Sequence, residues 1–416
     1  MLANLQRAGC RKSDRSNDRC AVMNQKKLLV LGTSAFQVPL IEKAKAMGLY
    51  VITCDYLPEN PGHALADEYH NASTTDKDAV LEVAKTCQID AITTFCSDPA
   101  VQTVAFVAEA LNLPGPSLAA VELLTEKDKF RKLMQGASLN VPACFTLYNS
   151  ELPNSIDDTQ RYIVKPVDSS GSKGITQSSG KRESLSATVE YALNFSRAGR
   201  CIIESFIEGP QVHGDAFIQG GKVLYHYLGD HYFFTGTNSF IPISTRWPAS
   251  ISAEAMESVI AQVERIVQAA GYTDGPVNIE ARIDAKGSAY IIEVGPRNGG
   301  NFVPIIQQRL SGFDFTQAVI DMAFGEQVNS ETLKEFKPGA YYILHAKCEG
   351  VFSGVEMPES LSSELFYKHL FKEVGDAVKP YTGSNQTVGV CLFEGQSKEL
   401  HKKLTKAPPK VLIEKV

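Results

Sequence analysis

From Lys27 onward, short apolar runs alternate with longer stretches whose apolar positions recur at helical spacing. Leu28 to Leu31 is an unbroken apolar run closed by Gly32, Thr33 and Ser34, and the pattern from Val38 to Met47 predicts a helix that ends at Gly48. Tyr50 to Cys54 reads as a second strand finishing on Asp55, and a helix over Asp76 to Thr86 followed by a strand over Ala91 to Phe95 repeats the unit. Strand, turn, helix and strand in so short a span imply parallel strands joined by right-handed crossovers. Residues 26–116 are therefore expected to form a doubly wound parallel βαβ domain, closed by the breaker Leu113-Pro114-Gly115-Pro116.

Beyond the breaker the pattern predicts a helix carrying Asp128, Lys129 and Arg131, then a strand running into Thr146. Strands dominate from Tyr162 to Ile218, interrupted by one loop rich in Gly and Ser and by an amphipathic helix around Leu185 to Phe195. Tyr225 to Trp247 is again strand-rich. Val259, Val263, Ile266 and Val267 mark the buried stripe of a helix over 251–271, and Val277–Ile283 with Ala289–Val294 reads as an antiparallel pair joined through Asp284 to Gly287. The expected organisation is α/β and α+β: a leader at 1–25, the βαβ domain, a central domain at 117–337 with a lid at about 145–210, and an α+β segment at 338–416. The leader lacks periodicity, which suggests a flexible or over-extended start with Met23 as an alternative initiator. No internal repeat is present.

The 416 residues, 44% of them apolar, can bury the cores of two or three domains. No run approaches the roughly 20 apolar residues of a spanning helix, and the first twenty-five residues carry no apolar signal core, so the expectation is a cytoplasmic protein without a membrane partner. Nine cysteines, none at CxxC spacing, fit reduced thiols rather than a disulfide framework or zinc cluster. A net charge of -6 argues against a general nucleic-acid partner, whose phosphates need a basic surface. A nucleotide held singly in a cleft remains compatible with that charge.

Three segments carry chemistry. Lys165-Pro166-Val167-Asp168-Ser169-Ser170-Gly171-Ser172-Lys173-Gly174 follows an apolar strand, and its glycines let backbone N–H groups approach phosphate oxygens while its lysines answer their charge. It lacks the GxxxxGK[ST] spacing of a Walker loop, and an ordinary hairpin is the competing reading. Cys201 to Ser205 runs into a segment with Glu204 and Glu208, where Glu204 and the backbone of Ser205 and Ile207 could meet a purine edge; the plainer alternative is a strand end with solvated glutamates. Glu280 and Glu293 stand one on each strand of the expected hairpin, with Arg297 just beyond. Paired carboxylates among apolar neighbours call for a cation, either a metal ion or, in the simpler case, Arg282 or Arg297 in a cross-strand ion pair.

Taken in order, these segments resemble the ATP-grasp superfamily of carboxylate–amine ligases, biotin carboxylase and carbamoyl-phosphate synthetase, over about residues 27–330. The resemblance implies an ATP-grasp fold behind the βαβ domain, with ATP and Mg2+ (or Mn2+ in its place) as cofactors. EKDKFRKLM resembles the family's DK element, implying Lys129 at the phosphates. YIVKPVDSSGSKG is similar to the mobile lid, with Lys165 as second phosphate lysine and Ser169, Ser170, Gly171 and Gly174 folding over the triphosphate. CIIESFIEGPQVHGDAFI resembles the hinge strand, with Glu204, Ser205 and Ile207 at adenine and Gln211 where relatives use glutamate on the ribose. VNIEARI and YIIEVGPRNGGN resemble the metal strands, which implies Glu280 and Glu293 as ligands and Arg297 as the phosphoryl-steadying arginine. Gly295 stands where relatives commonly offer asparagine to a second metal, so Asn298, Asn301 or water is left to supply it. Gly299 and Gly300 could present N–H groups to an anion.

The implied reaction activates a carboxylate as an acyl phosphate that an amine then opens, so the expected partners are small-molecule carboxylates and amines, with a homodimer as the family's common assembly. Bicarbonate as the acid, or a non-catalytic ATP-sensing module, are the rival readings. His226 and His231, taken singly, read as structural. Arg246, next to the only tryptophan, is a candidate for a substrate carboxylate or a stacked ring.

Overall fold

The computed structural model describes residues 25–234, 240–329, 333 and 335–414. Apart from Gln25, the expected leader with its Met23 lies outside the described residues. The chain opens with β1 (Lys27–Leu31), α1 (Val38–Ala46), β2 (Tyr50–Cys54), β3 (Glu68–His70), α2 (Lys77–Cys87), β4 (Ala91–Thr94) and α3 (Asp98–Leu111). The four strands are parallel, in the order β3-β2-β1-β4. Leu28 and Val30 turn to one face, against Leu40 and Ile41 of α1, while Leu29 and Leu31 turn to the other, against Val80 of α2 and Val104 of α3. Burial on both faces is why β1 reads as a continuous apolar run. The Asp76 carboxylate starts α2 by accepting the Ala79 N–H at 3.0 Å. α3 has no counterpart among the expected elements, although Asp98-Pro99 at its first turn is a helix-start signature.

Two short helices, α4 (Leu118–Thr125) and α5 (Lys127–Gly136), lead to a small antiparallel sheet. It contains β5 (Cys144–Leu147), β6 (Arg161–Pro166), β7 (Thr176–Ser179) and β8 (Cys201–Ser205) in the order β5-β8-β6-β7. α6 (Arg182–Leu193) packs Leu185, Val189 and Ala192 onto Val164 and Ile203 of that sheet. The turn between β6 and β7 is the Gly- and Ser-rich loop.

The rest of the chain builds one large sheet and its cover. β9 (Gln211–Gln219), β10 (Lys222–Phe233), β11 (Pro242–Trp247), α7 (Ala253–Ala270), β12 (Gly275–Ile283), β13 (Ala289–Gly295), α8 (Val303–Ser311) and α9 (Phe315–Ala323) are followed by β14 (Gly339–His345), β15 (Gly350–Glu356), α10 (Glu359–Ser362), β16 (Leu365–Leu370), β17 (Ala377–Val378), β18 (Thr387–Glu394), α11 (Ser397–Lys406) and β19 (Lys410–Glu414). Eight strands pair in the order β13-β12-β9-β10-β11-β14-β18-β16. β14, β18 and β16 come from the segment after residue 338, which thus extends the central sheet; β15, β17 and β19 form a separate three-stranded sheet.

The helix expected over 251–271 is α7, and its stripe of Val259, Val263, Ile266 and Val267 packs on Val212, Ala216, Ile279 and Ala281. Those strand residues alternate with His213, Asp215, Asn278 and Glu280, which must face the other way. Ile266→Ala should therefore cost about 2–5 kcal/mol in urea unfolding, the usual loss for a fully buried aliphatic side chain. A loss near zero would mean that α7 does not hold the sheet's dry face.

Candidate active site

The register of the central sheet lines up its polar face in rows. Glu293 on β13 pairs with Glu280 on β12, Glu280 with His213 on β9, and His213 with Gly229 on β10. The next row runs Gly295, Asn278, Asp215, Tyr227. Glu293, Glu280, His213, Gly295 and Asn278 of these rows floor a cleft of about 1070 Å³ that is also bordered by the Gly- and Ser-rich loop between β6 and β7, by Ser205 to Ile207 at the end of β8, and by Asp98 at the start of α3.

Charge in the cleft is closely matched. Glu204, 2% exposed, receives Arg131 Nε on Oε1 at 2.7 Å and Lys165 Nζ on Oε2 at 2.7 Å. Burial alone would push the Glu204 carboxyl up, but the two cations hold it down at about 2. Arg131 also donates to the carbonyls of Ile291 and Ile292 on β13, both at 3.0 Å, so it ties the small four-stranded sheet to the central one. Lys127 donates to the Ser169 carbonyl at 2.7 Å; desolvation lowers its pKa, opposed first by Glu293. Burial, and then the facing Glu293, push the Glu280 carboxyl up. Gln211 donates to Glu280 at 2.7 Å and accepts from Arg282 Nε at 2.9 Å.

Arg297 does not bridge the glutamates. Its Nε and Nη2 hold both oxygens of Asp98 at 2.5 and 3.1 Å, fixing the first residue of α3 to the end of β13. Arg282 likewise goes to Gln211 and to the Ile207 carbonyl, at 3.0 Å for the latter. Among the described residues no ion pair within 4.0 Å joins Glu280 or Glu293 to either arginine. Asp215, fully buried, accepts the Gly299 N–H at 2.8 Å and Asn278 Nδ2 at 2.7 Å, which shapes the Gly299-Gly300 turn; burial pushes its carboxyl up to about 6.

The remaining residues singled out from the sequence fall into two groups. Ser169, Ser170 and Gly171 border the cleft, as do Ser205, Ile207 and Gln211. Lys129 borders it too, but its ammonium is held by Glu126 at 2.7 Å and Glu122 at 3.4 Å. Gly174 is a packing glycine: at φ +72° a Cβ would lie 2.7 Å from Pro166 Cγ and 2.8 Å from Phe195 Cβ. Asn298 is fully buried and is not among the residues lining the cleft, and neither amide atom finds a partner among the described residues, whereas Gly295, Gly300 and Asn301 border the cleft. Arg246 stacks on a ring, one of its two expected roles, and is absent from the cleft lining, which overturns the other, a substrate carboxylate. Strand alternation points it to the far face of β11, where it donates to Thr405 Oγ1 at 2.9 Å and lies 4.0 Å from the Tyr232 ring centroid, out of reach of a substrate.

The family profile described as an ATP-grasp domain matches residues 159–304, from the lid to the start of α8. The crystal structure of L-amino acid ligase from Bacillus licheniformis superposes with a TM-score of 0.79 at 23% identity, over 94% of this chain and 99% of that one. The chain contains an ATP-grasp domain over residues 159–304. Phosphoribosylglycinamide synthetase from Anaerococcus prevotii has the same fold, with a TM-score of 0.76 at 22% identity over 94% of this chain and 100% of that one. Among curated proteins, an uncharacterized protein of Sinorhizobium fredii is 27% identical over 272 residues, 63% of this chain, and this chain spans 55% of that relative's length.

Within this ATP-grasp site, sequence reading passes over Lys127, Asp98, Arg131 and His213. Lys127 lies two residues before Lys129, in the same EKDK phrase, and only the start of α5 decides which lysine turns inward. Asp98 carries the Asp-Pro helix-start signal, but no local pattern reveals its partner 199 positions away. Glu204 supplies a check on the charge balance. A carboxylate with a depressed pKa contributes stability that is present above its unfolded value, near 4.5, and lost as pH falls through its folded value of about 2. Glu204→Gln, which strands Arg131 and Lys165, should cost about 3–5 kcal/mol at pH 7 by urea unfolding, and the gap from the parent should narrow as pH drops from 4.5 toward 2. A gap independent of pH would refute the assignment.

Proposed function

We propose that the protein is an ATP-dependent ligase that activates a carboxylate as an acyl phosphate for attack by an amine. The single observation that carries this reading is the pairing of Glu280 with Glu293 on adjacent strands, within a ring of Lys127, Lys165 and Arg297 at the mouth of the lid. Two facing carboxylates whose repulsion helps raise one pKa form an oxygen donor set that suits magnesium, with manganese as a substitute. Bound there, the ion would draw charge from the phosphoryl oxygens as they pass between ATP and acid.

This chain's own residues do the rest. The acid's oxygen bonds to the γ-phosphorus as the bond to the β,γ-bridging oxygen breaks and ADP departs. The neutral amine then attacks the acyl carbon, phosphate leaves, and the amine's proton goes with it. Lys127 and Lys165 answer charge on the phosphates, Lys165 being oriented by Glu204, while Arg297, held rigid by Asp98, faces the transferred group. Ser205, Ile207 and Gln211 border the nucleotide end of the cleft. The loop from Ser169 to Ser172, whose Ser172 hydroxyl donates to the Phe240 carbonyl at 2.9 Å, covers the cleft and keeps water from the acyl phosphate. Small-molecule acids and amines are the substrates in this reading. A cytoplasmic location and a homodimer belong to the same proposal; among the described residues no helix is long and apolar enough to cross a membrane.

A screen of carboxylic acids crossed with amines should give ADP release that depends on both magnesium and an organic acid. Bicarbonate-dependent release without organic acid would favour the carboxylating alternative, and tight ATP binding without ADP across the panel would favour a sensor. With a working substrate pair, Glu293→Gln should abolish ADP formation and leave the thermal midpoint in place. Lys127→Met should lower kcat by about 100-fold, the scale of one lost oxyanion-type donor, against a few-fold for Lys129→Met. The reverse order would return the phosphate role to Lys129.

A further inference from the structure

The cleft's floor is charged at one side only. β12 and β13 contribute Glu280, Arg282 and Glu293 to its lining, whereas every lining residue on β9, β10, β11, β14 and β18 is uncharged. Strand order places that uncharged half directly beyond the metal-binding pair, starting with His213 opposite Glu280. At about 1070 Å³ the cleft exceeds the roughly 300–1,000 Å³ of a site for one small molecule, so a second substrate has room beside a nucleotide.

The polar groups of the uncharged half are spoken for, with one exception. His213 Nδ1 meets Thr245 Oγ1 at 2.9 Å and its Nε2 meets Asn278 Nδ2 at 3.0 Å. His231, 7% exposed, stacks on that ring with centroids 4.5 Å apart, and neither of its nitrogens has a partner among the described residues. An imidazole buried in a cleft wall with a donor and an acceptor unanswered is costly unless a ligand pairs with it. Around it, Phe233, Ile241, Ile343 and Phe371 give the wall an apolar surface, and Lys372 is, among the described residues, the one lining cation from the segment after residue 338. One lysine is a poor match for a phosphate monoester, which is held by several charged donors.

We propose that the uncharged half of the cleft is the acid-binding subsite, that it takes a carboxylic acid with an apolar or aromatic body, and that His231 is its specificity-determining hydrogen-bonding residue. The acid's carboxylate would lie at the Glu280–Glu293 end and its body over His213 and His231. This assignment rests on the ligase reading for the identity of the reacting group, and its test uses binding as well as turnover so that the two can fail separately.

Thermal shift in the presence of magnesium and a non-hydrolysable ATP analogue measures binding of 3-phenylpropionate, L-phenylalanine and L-leucine against succinate and 3-phosphoglycerate. The apolar acids should bind at least roughly tenfold more tightly than these two polyanions. His231→Phe should weaken them by about tenfold, the scale of one hydrogen bond, and His231→Gln should restore part of the loss, with the shift caused by the analogue alone serving as the folding control. Preference for succinate or 3-phosphoglycerate, or apolar-acid binding indifferent to both His231 variants, would overturn the subsite. Apolar acids that bind through His231 yet elicit no ADP with any amine would leave the subsite standing and overturn the ligase reading.

Discussion

In an antiparallel strand every second side chain points the same way, and the molecule is organised by how its central sheet uses the two faces this creates. One face of β9, β12 and β13 carries Val212, Ala216, Ile279 and Ala281 and is sealed by α7. The other carries His213, Asp215, Asn278, Glu280 and Glu293 and floors the cleft. A slip of one residue in the pairing of β12 would exchange the two sets, stranding carboxylates under α7 and apolar groups in the cleft. The dry face therefore fixes the register, and the register sets Glu280 opposite Glu293.

Buried charge supplies the second level of order. Three carboxylates in and beneath the cleft are tied to groups from different parts of the chain: Glu204 of β8 to Arg131 of α5, Asp98 of α3 to Arg297 after β13, Asp215 to the Gly299 turn. These pairs cost desolvation and add little net stability. Their effect is geometric, because each breaks expensively if its partner moves. Glu280 and Glu293 lack such a cationic partner within 4.0 Å among the described residues, and they stand where Lys127, Lys165 and Arg297 converge.

Much of this was legible in the chain. The βαβ unit, α7 and the β12–β13 hairpin follow from apolar periodicity, which reports directly on the faces that are buried, and the five phrases in order point to the ATP-grasp superfamily. Less legible were the features that depend on partners distant in sequence. Lys127 and Lys129 differ only in which way α5 turns them. Arg246 and His231 sit in the same strand-rich stretch, yet alternation sends one under α11 and the other into the cleft wall. Asn298, beside Arg297 in sequence, is fully buried and does not line the cleft. The strands after residue 338 read as a separate segment because nothing local reveals that β14 pairs with β11.

The central claim is that the facing glutamates and their ring of cations direct an acid onto the γ-phosphorus of ATP. Hydroxylamine trapping tests it most directly, with the protein, ATP, magnesium and a bound acid in the absence of amine. The account predicts an acyl hydroxamate formed in step with ADP and phosphate, and lost in Glu293→Gln. Hydroxamate accompanied by AMP and pyrophosphate would mean that the acid attacks the α-phosphorus instead, and would contradict it.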